Sequence, residues 1–290
     1  MPSEFSESLK DRVIIITGAS RGIGYHTALT LARAGARIVV AAQSTVENPK
    51  LPGTVQKTVR DIEAIGGKAL GIPCDVRFEE ELEELVGRTL ARFERIDGLV
   101  NNAGAIWVNT IENTPAKRFD LVHAVNYRAP YLLSRLVIPH MQRGGWGHII
   151  NMSPPVDVSA IGGKIAYMNS KFNMTMLTLG LAAELREANL PIAVNSLWPK
   201  TLIESLATIN WGMGEPKDWR KADIMADAVV AILRQNPRQY TGQALIDEDV
   251  LRQLVGETDF ARYNVVPDGE PVHLDWETFD RIIAQMKRPG

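Results

Sequence analysis

The feature that most constrains this chain is an apolar run, 12–17, that ends directly on Thr17-Gly18-Ala19-Ser20-Arg21-Gly22-Ile23-Gly24. The run shows no alternation of polar and apolar residues, so it reads as a strand buried on both faces. Residues 22–34 follow with helical character, and Gly35 stops them. A strand that turns on glycines into a helix sets the free N–H groups of the first helical turn beside the turn itself, with the positive end of the helix dipole. Such a place suits an anion. Gly18 permits the tight turn, Gly22 lets a pyrophosphate approach the backbone, and Gly24 allows close contact of helix and strand. The spacing is Gly-x3-Gly-x-Gly, not the Gly-x-Gly-x-x-Gly of other dinucleotide folds.

The strand–helix alternation then repeats. Strands are expected at 37–42, 68–72, 96–101, 147–153, 191–198 and 243–246, and helices at 54–65, 79–93, 115–142, 164–187 and 223–234. The 115–142 helix should break near Pro130, with Pro139 in its last turn or at its end. Near-continuous apolar strands separated by helices imply an α/β fold with a parallel sheet covered on both faces. Right-handed crossovers make it one doubly wound Rossmann-type domain, spanning 1–247, with a mainly parallel seven-stranded sheet. Ligands of such sheets sit beyond the carboxyl ends of the strands. Residues 200–220 follow the sixth strand directly and carry Leu202, Ile203, Leu206, Ile209, Trp211 and Met213, so they should form a lid or pocket wall. In the remaining extension, 248–290, Trp276, Phe279, Ile282, Ile283 and Met286 form a helical stripe. That stripe packs either on its own domain or on a second copy.

Composition narrows the function classes. The 290 residues carry 32 basic and 34 acidic side chains, a net charge of -2, which gives no field for binding nucleic-acid phosphates. No apolar run approaches the ~18–20 residues that a membrane span needs. The first residues, Met1-Pro2-Ser3-Glu4, are polar and acidic, unlike a secretory signal. Cys74 is the single cysteine, so no disulfide can form within the chain, in keeping with a reducing compartment. A cytoplasmic location is therefore expected. The five histidines lack metal-ligand spacing, and no metal is expected.

The chemistry-bearing pair is Tyr167 and Lys171, four residues apart on the expected 164–187 helix and hence on one face. A lysine cation there lowers the phenol pKa from its usual value near 10 and makes it a usable acid or base. The spacing is common by chance and gains weight only from its company. Thr-Gly-x3-Gly-x-Gly, then Asn101-Asn102-Ala103-Gly104 after the fourth strand, then Tyr167-x3-Lys171 occur in that order. Together, over about residues 8–250, they resemble the short-chain dehydrogenases/reductases.

The resemblance implies roles. Tyr167 would be the proton donor or acceptor at a carbonyl or alcohol oxygen, and Lys171 would hold the nicotinamide ribose. Asn126 would hold a water in a proton relay. Gly18, Ser20, Arg21, Gly22, Ile23 and Gly24 would surround the coenzyme pyrophosphate. Gln43, Asp75, Val76, Asn102, Ala103 and Gly104 would line the adenosine side, with Asp75 meeting the adenine amino group. Pro199 and Thr201 would also bind the coenzyme, and Asn195 would be structural. An NAD-preferring member usually has an acid at the end of strand two. Here that strand ends Ala41-Ala42-Gln43-Ser44, and Arg21 stands ready to pair with a 2′-phosphate. NADP is the expected coenzyme, with NAD left open by the absence of a second cation at Gln43.

Two departures stand out. The family's serine lies 13 residues before the tyrosine, and here that position is Pro154; Ser153 lies 14 before. Three readings stay open: Ser153 is the substrate-oxygen donor, Ser159 replaces it, or no serine acts. Pro199-Lys200 stands where the family often has Pro-Gly, so Lys200 either faces the site or is solvated. The expected function is an NADP-dependent oxidoreductase of a fairly hydrophobic small-molecule carbonyl or alcohol, working as a homo-oligomer (dimer or tetramer). The alternative is a catalytically silent NADP(H)-binding sensor or scaffold.

Overall fold

A computed structural model describes residues 8–157, 161–275, 278, 281 and 282. Seven strands, β1 (Val13–Thr17), β2 (Arg37–Ala42), β3 (Lys68–Pro73), β4 (Gly98–Asn101), β5 (Gly147–Asn151), β6 (Ile192–Trp198) and β7 (Ala244–Ile246), form one sheet. Their order is β3-β2-β1-β4-β5-β6-β7, and every neighbouring pair is parallel. Successive side chains of β1 point to opposite faces, as strand geometry requires. Ile14 and Ile16 join one buried cluster with α1 (Gly22–Arg33), α2 (Val55–Ala64) and α8 (Asp223–Leu233). Val13 and Ile15 join the other with α3 (Glu79–Phe93), α5 (Ala129–Gly144) and the end of α6 (Ile165–Glu187). Because β1 lies between β2 and β4, the crossovers leave its two sides in opposite directions. A crevice therefore opens beyond Thr17 and Asn101, at the switch point.

The structure departs from the expected elements in four places. The long helix does not break at Pro130. It is divided into α4 (Ala116–His123) and α5 by a π-helical turn, Ala124–Arg128, in which Ala129 N–H bonds to Ala124 O, five residues back. Pro130 is the second residue of α5, directly after the π turn; the backbone is helical through Arg128, so its missing N–H is lost from a continuous helix rather than from a free end. Pro139 lies inside α5, which runs on to Gly144 and stops at Gly145 in the left-handed region. The segment after β6 contains a short helix, α7 (Leu206–Trp211), capped by Ser205 Oγ accepting from Thr208 N–H. Lastly, the expected boundary at 247 falls inside α9 (Asp247–Val255), whose Val250 and Leu251 are buried in the same cluster as α8.

Residues after α9 return to the 200–220 segment. Leu202 N–H donates to Val272 O at 3.0 Å, Leu274 N–H to Lys200 O at 2.8 Å, and Thr201 pairs antiparallel with His273. Of the expected apolar stripe, Ile282 is buried against a cluster with Val108, Leu202, Met213 and Trp219, that is, on its own domain. Trp276, Phe279, Ile283 and Met286 lie outside the described residues. No helix among the described residues is long and apolar enough to cross a membrane.

His148 of β5 gives the fold a pH dependence. It is fully buried, its Nε2 lies 3.1 Å from Gln235 O, and burial pushes it down from 6.5 to about 4. The unfolded chain takes up this proton near pH 6.5 and the folded chain only near 4. The stability it confers is complete above pH 6.5 and is lost as pH falls through that window, by up to about 3 kcal/mol. Urea midpoints at pH 7 and pH 4.5 should differ less in His148→Gln than in the parent; equal differences would exclude this assignment.

Candidate active site

One wall of the crevice is built by stitching two loops across the switch point. Thr17 Oγ1, at the end of β1, accepts from the backbone N–H groups of Asn102 (3.1 Å) and Ala103 (3.0 Å). The Asn102 side chain returns the contact, donating to Thr17 O at 2.9 Å and Gly18 O at 3.2 Å. This fit explains Gly24: a Cβ there would fall 2.4 Å from Asn102 Nδ2 and 2.5 Å from Gly18 O. Gly22 has φ +54 and nothing within 4 Å of an added Cβ, so its bare backbone faces open space. Gly18, Ser20, Arg21, Gly22, Gln43, Ser44, Val76, Asn102, Ala103 and Gly104 all line a cleft of about 420 Å³.

Arg21 is held by the 44–53 loop. Its Nη2 donates to Ser44 Oγ (2.7 Å), Leu51 O (3.1 Å) and Gly53 O (3.0 Å), and its Nε to Pro52 O (3.0 Å). The cleft therefore has one guanidinium and no carboxylate among its lining residues. Asp75, expected at the adenine, does not line it. Its carboxylate is paired with the Arg77 guanidinium and bonded by Gln43, which together hold it below the usual carboxylate range. Cys74 does line the cleft, but burial pushes its thiol up to about 12, so it offers no thiolate.

The reactive wall is one face of α6. Tyr167, Lys171 and Thr175 follow at four-residue intervals. Lys171 Nζ donates to Met152 O at 2.8 Å, lies 5.7 Å from the centre of the Trp198 ring, and would be 3.7 Å from a Cβ on Gly104. Asn126 lies in the π turn and is fully buried. Its Oδ1 accepts from Ala105 N–H (2.8 Å), and its Nδ2 donates to Ala105 O (2.9 Å) and Ser170 Oγ (2.9 Å). Ser170 in turn donates to Tyr167 O at 2.6 Å. The Asn-Asn-Ala-Gly loop, the π turn and the tyrosine backbone are thus one bonded unit.

Ser153 stands elsewhere. It is fully buried, and its Oγ lies 2.8 Å from Thr175 Oγ1, which also donates to Pro154 O at 2.7 Å. Thr175 is eight residues beyond Tyr167, about 12 Å along the helix axis. The Ser153 hydroxyl is thus paired with Thr175, two turns along α6 from Tyr167. Ser159 lies outside the described residues.

Burial dominates the electrostatics. It raises the Tyr167 pKa above its ordinary value and lowers Lys171 from 10.5 to about 8. The expected lowering of the phenol by Lys171 is therefore not what the chain alone produces. Tyr167 faces an apolar cavity of about 130 Å³ whose walls include Ile106, Val108, Trp198, Pro199 and Leu202. Ser205 and Ala207 line both this cavity and the nucleotide cleft, which makes the two neighbours. Thr201 is fully buried, with its Oγ1 unpartnered among the described residues. Asn195 ties β6 to the chain before β7, bonding Tyr240 O and Gln243 N–H. Lys200 lines a different cavity, beyond Trp198.

Residues 12–208 match the model of the short chain dehydrogenase family. The chain belongs to this family. Hydroxysteroid dehydrogenase-like protein 2 of Danio rerio is 46% identical over 266 residues, which cover 91% of this chain and 63% of that protein. The Homo sapiens protein of the same name is 42% identical over 91% of this chain and 62% of its own length. The chain thus spans less than two thirds of these relatives. A crystal structure of a putative dehydrogenase from Xanthomonas campestris superposes with TM-score 0.85 at 39% identity, covering 91% of this chain and 96% of that one. A metagenomic short-chain oxidoreductase in complex with NADP superposes with TM-score 0.70 at 30% identity, covering 82% and 97%.

Within this short-chain dehydrogenase, several residues of the site escaped sequence reasoning. Thr17 opens the glycine motif, but nothing in the motif assigns its hydroxyl to the loop after β4; Ser170 and Thr175 act through hydroxyls that no motif marks, and Thr175 had a signal in its four-residue step from Lys171. Trp198 and the distant Leu274 both line the Tyr167 cavity.

The two glycines should separate folding from binding. Gly22→Ala places a methyl in open space at φ +54, costing about 1–2 kcal/mol. It should fold yet weaken dinucleotide binding at least tenfold. Gly24→Ala collides with Asn102 and the turn itself, and should lose stability as well as binding. Denaturation curves and NADPH fluorescence titrations check both; unchanged NADPH affinity in Gly22→Ala would reject the turn as the coenzyme cradle.

Proposed function

We propose that this short-chain dehydrogenase is an NADP-dependent oxidoreductase of a fairly hydrophobic carbonyl or secondary alcohol, with Tyr167 as proton donor or acceptor. One observation carries this reading. The buried Tyr167 faces an apolar cavity that adjoins a glycine-turn cleft through Ser205 and Ala207, and Gly104 of the cleft lies next to Lys171.

The residues present fit the coenzyme. Gly22 offers uncovered backbone at a helix N-terminus, and the buried Thr201 hydroxyl lacks a partner among the described residues. Arg21 and Ser44 supply a cation and a hydroxyl at the cleft, with no lining carboxylate to repel a 2′-phosphate. The relative in complex with NADP is in keeping with this choice. When bound, the coenzyme supplies or accepts the hydride.

The chain's own groups do the rest. Burial keeps the Tyr167 proton in place at neutral pH, which readies the phenol to protonate a carbonyl oxygen during reduction. Lys171, fixed by Met152 O, stands one turn further along as the cation that stabilises developing phenolate. Asn126 acts as a positioning residue: its amide is committed to Ala105 and Ser170, so a relay water would have to use its main chain. Ser153 props Thr175 against the Pro154 loop and takes no part at the substrate oxygen. That pairing, with Pro154 at the position 13 before Tyr167, also favours a second reading, a silent NADP(H)-binding protein, which the same experiment separates.

Tyr167→Phe should lose about 10²–10⁴-fold in kcat/KM across a carbonyl panel while still binding NADPH. Ser153→Ala should stay within about threefold in activity and lose about 1 kcal/mol of stability, the worth of one hydrogen bond. Full turnover in Tyr167→Phe would end the mechanism; tight NADPH binding with no turnover of any carbonyl by the parent would establish the silent reading. Lys171 also sets a pH limit. Its depressed pKa means that the cation is present below about pH 8 and lost above it. Carbonyl reduction should decline above pH 8, and a kcat/KM profile flat to pH 10 would refute that.

A further inference from the structure

Three cavities lie in a row along the carboxyl edge of the sheet. The nucleotide cleft and the Tyr167 cavity share Ser205 and Ala207. The Tyr167 cavity and a third, of about 190 Å³, share Trp198, Pro199 and Leu274. The third differs in character, for Lys200, His273 and Asp275 line it. Trp198 and Pro199 belong to β6 and its end, and Trp198 is placed against Lys171. Leu274 arrives from the far end of the chain. Its N–H donates to Lys200 O, and the neighbouring His273 pairs with Thr201, so a short antiparallel strap fixes its position. The side chain packs with the cluster of Val108, Leu202, Met213 and Trp219.

Size then becomes informative. The middle cavity measures about 130 Å³. A cavity of about 150 Å³ with aliphatic and aromatic walls holds one benzene ring, and a steroid nucleus has roughly three times as many carbons. We propose that Leu274 is the specificity-determining residue of this site, limiting the substrate to a carbonyl compound, or its alcohol, whose arm against Tyr167 is a small apolar group of benzene size. This inference rests on the oxidoreductase reading above. A steroid-sized substrate requires Leu274 to be out of the way. Leu274 is, with Trp198 and Pro199, one of the three residues shared by the cavities of about 130 and 190 Å³, so shortening its side chain should open one toward the other.

The test compares the full chain with Leu274→Ala and Leu274→Phe, each verified as folded by its melting curve. Cyclohexanone and a 3-ketosteroid are the probes, read by NADPH oxidation and by calorimetric titration of the NADP-loaded protein. The parent should favour cyclohexanone at least 100-fold in kcat/KM. Leu274→Ala should raise the steroid value at least tenfold, and Leu274→Phe should lower the cyclohexanone value at least tenfold, with NADPH affinity unchanged in both. Parity of the two ketones in the parent, profiles unaltered in both variants, or no ketone binding at all would each overturn the proposal. Size-selective binding without turnover would leave Leu274 in its role and overturn only the oxidoreductase reading.

Discussion

The site depends on one hydroxyl. Thr17 Oγ1 accepts two backbone N–H groups from the loop after β4, and Asn102 answers with two bonds to the turn after β1. These bonds close the place where a doubly wound sheet would otherwise splay, since the crossovers on either side of β1 diverge. They also leave no room for a side chain at Gly24. The anion-binding turn and the Asn-Asn-Ala-Gly loop are therefore one object. Gly104, at the end of that loop, lies near both Asn126 Oδ1 and Lys171 Nζ. Met152 N–H bonds Asn101 O and Met152 O accepts from Lys171 Nζ, so a shift at Thr17 would reach the lysine through that bonded route.

α6 serves as the ruler for the reactive groups. Its four-residue repeat sets Tyr167, Lys171 and Thr175 on one face, and each finds its partner in a different element. Burial shifts the tyrosine and the lysine in opposite directions, and both shifts favour the neutral form. Together they hold the phenol protonated and set a phenolate–ammonium pair above the neutral one, so phenolate here requires a further stabilising charge beyond what the chain alone supplies. The carbonyl of Met152 and the Trp198 ring offset part of the lysine's desolvation. The π turn fits the same logic. Asn126 meets Ala105 on one side and Ser170 on the other, in a stretch where the regular helical ladder is interrupted.

Much of this was legible in the sequence, for definite reasons. β2 and α3 have the bounds expected from their apolar runs and flanking breakers, because local pattern and tertiary burial agree there. Other features leave no periodic mark. A π turn adds one residue per turn without changing residue types, so Pro130, the visible breaker, drew the expected break away from 124–128. α7 is six residues long, too short to show a face. The orientation of Ser153 depends on a threonine 22 residues away, so counting from Tyr167 could not place it, and that of Asp75 depends on an arginine two residues on, which its position at the end of the third strand does not reveal. The strap at 272–274 is held by backbone bonds, to which side-chain patterning is blind.

The strap also joins stability to selectivity. The 200–220 segment has little regular structure of its own beyond α7, and what fixes it is its bonding to residues from the far end of the chain. Leu202 bonds Val272, Trp219 bonds Val265, and Asp218 bonds Val272. Arg220, in the same segment, forms a 2.5 Å ion pair with Glu248 of α9, both largely buried. Breaking such a pair from one side leaves a charge without compensation, which is far costlier than losing an exposed contact. The wall of the Tyr167 cavity is therefore as rigid as the C-terminal segment that holds it. Changes in that segment, far from Tyr167 in sequence, would alter the cavity's shape before they altered the groups that carry the chemistry.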